Sequence, residues 1–282
     1  MRDLLIFEHI PKTAGTTLHA ILWRLYGGRR VFFATDPGTH PARVAALHTR
    51  LADPANRLRA VVAHTGYGFH ERLPAGYRYR SFTLLRDPVE RTVSHYHYQI
   101  QRGKLDAATS LERFVREDPS RSCNVQTAFL GGLEVRRTLD GIPLSADLYT
   151  EALLQRARAA LQRLDAFGIT ERFDESLLGF RDAFGWPLAR ILYVRQRVGV
   201  RRRSAPDALS EAERRLVEQY NALDLELYAH ARALFAERVA ARGTRPRLTT
   251  FQHVNRLYGR IVYPTTRPLV RTARALKGHL GS

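Results

Sequence analysis

The sequence predicts an α/β fold, a three-layer sandwich with a mostly parallel central sheet and helices on both faces. Two observations carry this. Short apolar runs of strand length recur along the chain with helical or loop segments between them, the order that favours parallel pairing with both sheet faces covered. The 282 residues are 44% hydrophobic and 26% charged, ordinary for a globular chain able to bury a large core.

The elements follow in order. Leu4 to His9 reads as a buried strand, and Thr16 to Tyr26 as a helix with Leu18, Ile21, Leu22 and Leu25 on one face. Gly27-Gly28 ends that helix. Residues 36–58, with Pro37, Gly38, Pro41 and Pro54, read as a loop and a short helix over a sheet edge. Further strands are expected at Val31–Ala34, Arg59–Ala63, Ser81–Leu85, Ala166–Ile169 and Ile191–Val194. Helices are expected at 88–101, 110–117, 121–130, 146–163, 174–184 and 210–238, the last opened by a Ser210/Glu213 capping box. No internal repeat is present. Residues 1–238 are expected to form the main domain, and 239–282 a basic extension, packed or loosely ordered.

Composition narrows the chemistry. With one cysteine, Cys123, a monomer holds no disulfide and no all-thiolate zinc site, which fits a reducing compartment. The apolar run Leu4–Phe7 is too short for a signal peptide, and no stretch of about 18 apolar residues follows. A cytoplasmic location is expected. The net charge is +18, yet residues 238–282 alone carry ten basic side chains and no acid. The body is therefore moderately basic, suiting an anionic ligand, and the tail strongly so, suiting an anionic surface or partner. Only three lysines, Lys12, Lys104 and Lys277, stand among 45 basic residues, so at Lys12 a compact ammonium is the notable choice.

Lys12 lies in Ile10-Pro11-Lys12-Thr13-Ala14-Gly15, the short turn between the first strand and the first helix. Such a junction gathers backbone N–H groups and the positive helix end at one point, a ready anion site. Thr13, Thr16 and Thr17 add hydroxyls, and Gly15 lets backbone approach a ligand closely. An ordinary turn capped by threonine is the plain alternative. The G-x-x-x-x-G-K-[ST] spacing of nucleotide triphosphatases is absent, which points away from ATP with magnesium, and no metal is expected.

A second junction runs from Phe82 to Tyr96. Asp87 as N-cap, Pro88 at the first helical position and Glu90 at the third define a strand-to-helix turn. Arg86 at the strand end and Ser94 two turns along the helix could hold a second phosphate by fork and hydroxyl. A third candidate is His64, after the apolar run Val61-Val62-Ala63, where ligands collect in open α/β sheets. Imidazole can accept a hydroxyl proton near neutrality. A histidine that only packs there is the plain reading, and His95 and His97 are the other candidates for a base.

The segments His9–Leu18 and Leu85–Tyr96 together resemble the 5′-phosphosulfate loop and the 3′-phosphate motif of sulfotransferases that use 3′-phosphoadenosine-5′-phosphosulfate (PAPS). The similarity is strongest to the heparan sulfate 2-O-sulfotransferase-like branch and its bacterial relatives. It continues more weakly through Asn124–Thr127, Gly168–Leu177 and Tyr220–Tyr228, covering about residues 4–235. The resemblance implies a P-loop-like sandwich in which Lys12, Thr13, Ala14, Gly15, Thr16 and Thr17 hold the phosphosulfate and Arg86 and Ser94 the 3′-phosphate. It also implies that Arg201 and Arg203, with Arg197 and Arg202 nearby, close over the nucleotide, though four arginines near a turn are also simply solvated. The branch's base is a histidine in a Gly-His pair, where this chain has Ala63-His64.

The expected reaction is in-line transfer of a sulfuryl group from PAPS to an acceptor hydroxyl, with His64 as base and Lys12 stabilising the leaving phosphate. The acceptor is expected to be a carbohydrate, either polysaccharide or glycolipid, with no specific nucleic acid and with peripheral membrane contact through the tail. The competing classes are a non-catalytic binder of anionic polymer or membrane, and a nucleotide kinase.

Overall fold

The computed structural model describes residues 2–34, 40–117, 122–133, 146–194, 209–243 and 245–262. Five strands, β1 (Arg2–Glu8), β2 (Val31–Ala34), β3 (Ala60–Ala63), β4 (Tyr77–Leu85) and β5 (Ala166–Ile169), form one sheet in the order β2-β3-β1-β4-β5. Every neighbouring pair is parallel, with Phe7 level with Val62 and Phe82, and Leu85 level with Ile169. Because β1 is central, the chain leaves it for β2 and β3 on one side and for β4 and β5 on the other. That reversal opens a crevice at the C-terminal ends of β3, β1 and β4.

Alternation along β1 divides the core. Leu5 and Phe7 face α1 (Gly15–Tyr26) and α7 (Phe173–Phe184), packing with Leu18, Ile21, Leu22, Leu177 and Phe180. Leu4 and Ile6 face the other way, toward Leu47 and Leu51 of α2 (His40–Ala52) and toward Phe69. That second face is completed beside β4 and β5 by α5 (Val125–Leu130), α6 (Glu151–Arg163) and α10 (Ala222–Ala241). A smaller cluster joins α3 (Pro88–Gln101), α4 (Leu111–Glu117) and α9 (Glu211–Tyr220) through Val93, Phe114 and Val217. The three-layer α/β sandwich expected from the sequence is thus observed.

Three local expectations are corrected. Ile191–Val194 is not a strand: Leu188–Ile191 forms a short helix, α8, and Leu192 and Tyr193 are buried in the core without strand pairing. The Tyr193 N–H donates instead to the Asn255 side chain at 2.7 Å. A short apolar run has no period that separates strand from buried helix. The helix expected over 210–238 is two helices, α9 and α10, broken at the fully buried Asn221. Its side chain donates to the Val217 carbonyl and accepts the Asn124 N–H, competing with the helical ladder. The helix expected over 121–130 is interrupted: bends at Cys123 and Asn124, the latter left-handed at φ 47°, separate Ser122 from the helix Val125–Leu130.

Beyond residue 238, α10 continues to Ala241, and α11 (Arg245–Leu257) packs on the α1 and α7 side. Phe251 is 1% exposed in that core, and Arg247 donates two hydrogen bonds to Asp182. Among the described residues no helix is long and apolar enough to cross a membrane.

Candidate active site

The three central strands deliver the candidate residues to one edge. After β1 the chain turns through residues 9–14 into α1, with Lys12 at φ 73° and Ala14 at φ 64°. Two non-glycine residues in the left-handed region cost about 1–3 kcal/mol each. In return the turn curls its backbone toward the α1 N-terminus, where concave runs of N–H groups bind anions. No side chain caps that N-terminus and no acid sits in the first turn of α1. Thr13 is fully buried and donates to the Ile10 carbonyl at 2.8 Å, so its hydroxyl braces the turn from inside.

Gly15 is fixed by a close approach. A Cβ there would lie 1.7 Å from His9 Nε2, so the loop rests directly on the His9 ring. His9 is 8% exposed, and its ring centroid lies 4.3 Å from His64 and 4.7 Å from His19. Its Nδ1 shares a hydrogen bond with His19 Nε2 at 3.2 Å. Burial, then the His64, His19 and Lys12 charges, hold the His9 imidazole well below its ordinary value, so it is neutral at physiological pH. Among the described residues no group of three or more His, Cys, Asp or Glu could hold a metal ion, this trio included.

His64 follows β3 and is half-buried. Its Nδ1 donates to the His9 carbonyl at 2.7 Å. A carbonyl only accepts, so that bond places the neutral ring's proton on Nδ1 and its lone pair on Nε2. The other two histidine candidates sit elsewhere. His95 is buried against Phe114 of α4 and bonded to Gln99, and His97 is on the exposed side of α3.

Arg86 follows β4. Its backbone is paired by Gln126, whose amide accepts the Arg86 N–H at 2.9 Å and donates to the Arg86 carbonyl at 2.8 Å. Its Nη1 donates to the Lys12 carbonyl at 3.2 Å, Nη2 meets Glu90 at 3.3 Å, and Glu171 lies 3.9 Å from Nε. The fork is therefore oriented between the first turn and α3. Asp87 caps α3 as the sequence predicts, accepting the Glu90 N–H at 2.9 Å. On α3, Ser94 is half-buried, and Tyr98 one turn later on the same face carries Lys12 Nζ 4.1 Å over its ring.

The structure thus brings together the loop 12–17, Arg86 and His64, with Ser94 on α3 one turn before Tyr98, while Arg201 and Arg203 lie outside the described residues. No individual role is read from the sequence for His9, His19, Tyr98 or Gln126, although His9 and Gln126 fall within the segments His9–Leu18 and Asn124–Thr127 that carry the resemblance. Strand alternation was a usable signal for His9, since it puts Phe7 and His9 on the α1 side. Nothing local marks Gln126, which acts 40 residues from its partner.

The sequence profile of galactose-3-O-sulfotransferases matches residues 2–260. Galactose-3-O-sulfotransferase 3 of Bos taurus is 28% identical over 273 residues, 84% of this chain and 58% of that protein. Galactosylceramide sulfotransferase of Mus musculus is 27% identical over 252 residues, 86% of this chain and 59% of that protein. The chain therefore spans somewhat more than half the length of these curated relatives. Among solved structures, a sulfotransferase from Alicyclobacillus acidocaldarius superposes with a TM-score of 0.44 at 14% identity, covering 84% of this chain and 96% of that one. With the profile matched across both strand-to-helix junctions and all five strands, the chain belongs to the galactose-3-O-sulfotransferase family.

Proposed function

We propose that this protein is a PAPS-dependent O-sulfotransferase acting on a carbohydrate hydroxyl of a polysaccharide or glycolipid. One observation carries the reading: the Arg86 guanidinium touches the Lys12 carbonyl, so two anion-binding junctions 74 residues apart share one edge of the sheet. A bisphosphorylated nucleotide presents two anionic groups that such a pair of junctions suits. The uncapped α1 N-terminus, the left-handed turn and the Lys12 ammonium fit a phosphosulfate, and Arg86 with Ser94 fits a 3′-phosphate. The family relationship favours a galactosyl hydroxyl as acceptor. The matching profile is that of galactose-3-O-sulfotransferases, and the resemblance of the two motifs to the heparan sulfate 2-O-sulfotransferase-like branch suggests the base role of the histidine after β3.

When bound, the donor supplies the sulfuryl group and a phosphate leaving group. His64 Nε2 takes the proton of the acceptor hydroxyl, and the resulting imidazolium keeps its Nδ1–H on the His9 carbonyl. Lys12 and the loop N–H groups offset negative charge where the leaving oxygen departs. Tyr98 holds the ammonium beside α3, and neutral His9 supports both the loop and the base from beneath.

The test is binding of adenosine 3′,5′-bisphosphate by calorimetry, with sulfate transfer from PAPS to galactosides and galactolipids. Lys12→Ala should lower kcat by about 100-fold or more, with a smaller loss of bisphosphate affinity. His64→Ala should abolish turnover with the bisphosphate still bound. Near-normal rates in the histidine variant would remove it from the mechanism. Phosphorylation of the acceptor by ATP with magnesium would replace the reading with a kinase.

A further inference from the structure

The inward side of α11 is fully employed. Phe251 is buried, Gln252 donates to Asp174 at 3.1 Å, and Asn255 accepts the Tyr193 N–H. Arg24 donates to the Tyr258 hydroxyl at 2.7 Å, fixing the turn Tyr258–Val262 that follows. The outward side presents Leu257 at 43% exposure, Ile261 at 65% and Val262 at 43%. Four large hydrophobic residues are exposed among those described, and three fall within these six positions. Arg256 and Arg260 are exposed beside them, each four residues from its counterpart, as are Leu257 and Ile261. No acid occurs after Glu237.

We infer that residues 256–262 form a docking face for an anionic lipid bilayer. The two chemistries on this face select the partner. Exposed aliphatic side chains gain nothing against a polyphosphate backbone, whereas a membrane interface offers hydrocarbon to them and anionic headgroups to the arginines. Arginine stems can lie along the apolar layer with their guanidinium groups in the headgroups. A second copy of the chain is disfavoured, because a two-fold contact through this face would gather the arginines of both copies with no acid within residues 256–262 to pair them. Anchoring through α11 makes the face part of the folded body, so a docked protein is held in a fixed orientation. The inference builds on the proposed glycolipid acceptor in one respect: docking would bring the enzyme to a membrane-borne substrate.

The experiment is co-sedimentation of the full chain with phosphatidylcholine vesicles with and without phosphatidylglycerol, with bisphosphate binding measured on the same samples. The chain should pellet with the anionic vesicles, less so as salt rises. Leu257→Asp with Ile261→Asp should lower the partition coefficient by about tenfold or more. Arg256→Gln with Arg260→Gln should weaken binding and flatten its salt dependence. All variants should bind the bisphosphate and sulfate a soluble galactoside as the parent does, while sulfation of a vesicle-borne galactolipid falls with vesicle binding. Vesicle binding unchanged in the double aspartate variant would overturn the inference, as would equal binding to DNA with none to vesicles. Loss of bisphosphate binding in the parent chain would instead count against the sulfotransferase reading and leave the docking result standing.

Discussion

Gly15 and His9 show how one contact couples the loop proposed to hold the donor to the proposed base, His64. The His9 ring fills the space a Cβ at position 15 would need, and the His9 carbonyl fixes the proton on His64 Nδ1. Overpacking a filled site costs about 1–3 kcal/mol. Gly15→Ala should therefore weaken adenosine 3′,5′-bisphosphate binding by about tenfold, read by calorimetry. Adding His9→Ala removes the obstructing ring and should recover part of that affinity without recovering turnover, because His64 loses the tilted ring packed against it. Unchanged binding in Gly15→Ala would show that the loop yields freely. Glu8, one position earlier, points to the opposite face and is 2% exposed, so burial pushes its carboxyl well above the ordinary range. Alternation along one strand thus separates an imidazole under the loop, held low by burial, from a carboxyl in the core behind it, pushed up by burial.

The helices that flank Arg86 are held by reciprocal caps. Asp224, fully buried near the start of α10, accepts the N–H groups of Gln126 at 3.1 Å and Thr127 at 2.7 Å, the first turn of α5. The Asn124 side chain accepts the Asp224 N–H in turn. Arg91 of α3 is the main charge favouring the ionised form of Asp224 against burial, and it donates to the Ser122 carbonyl. Since Gln126 pairs the Arg86 backbone, this brace sets the second anion junction. Removing one member of a buried charged network costs about 3–5 kcal/mol. Asp224→Ala should lose about that much in denaturant unfolding, and Asp224→Asn less, since one acceptor oxygen remains. A loss below about 1 kcal/mol for the alanine variant would mean that water replaces the carboxylate.

Packing across the fold decides what the basic end of the chain is for. The boundary drawn at residue 238 falls inside α10, and α11 contributes Phe251 to the core shared with α1 and α7. Loss of a buried phenylalanine costs about 3–5 kcal/mol. Truncation after Gly243 should lower Tm by about 10 °C relative to truncation after Val262. Equal Tm in both truncations would show that α11 adds nothing to the fold. Part of the excess charge therefore belongs to an element of the core, and only its outward side remains for a partner.

Much of this was readable beforehand. The first strand, the turn at Lys12, the Asp87 cap and the strands Val31–Ala34 and Ala166–Ile169 are marked by apolar runs and turn or cap residues lying within a few positions of one another. Local sequence fixes such features because caps, turns and periodicity act over one or two turns of chain. The remainder needed distance. The His9, His19 and His64 cluster, the Arg86 contact to Lys12, the break at Asn221 and the docking of α11 join segments 10 to 234 residues apart. Apolar runs such as Ile191–Val194 are ambiguous on their own, since burial is set by whatever packs against them. Residue types and their order decided that this chain would build two strand-to-helix junctions of the kind that suits an anion. Only the parallel sheet, by bringing β3, β1 and β4 side by side, decided that those junctions and one oriented histidine would face the same space.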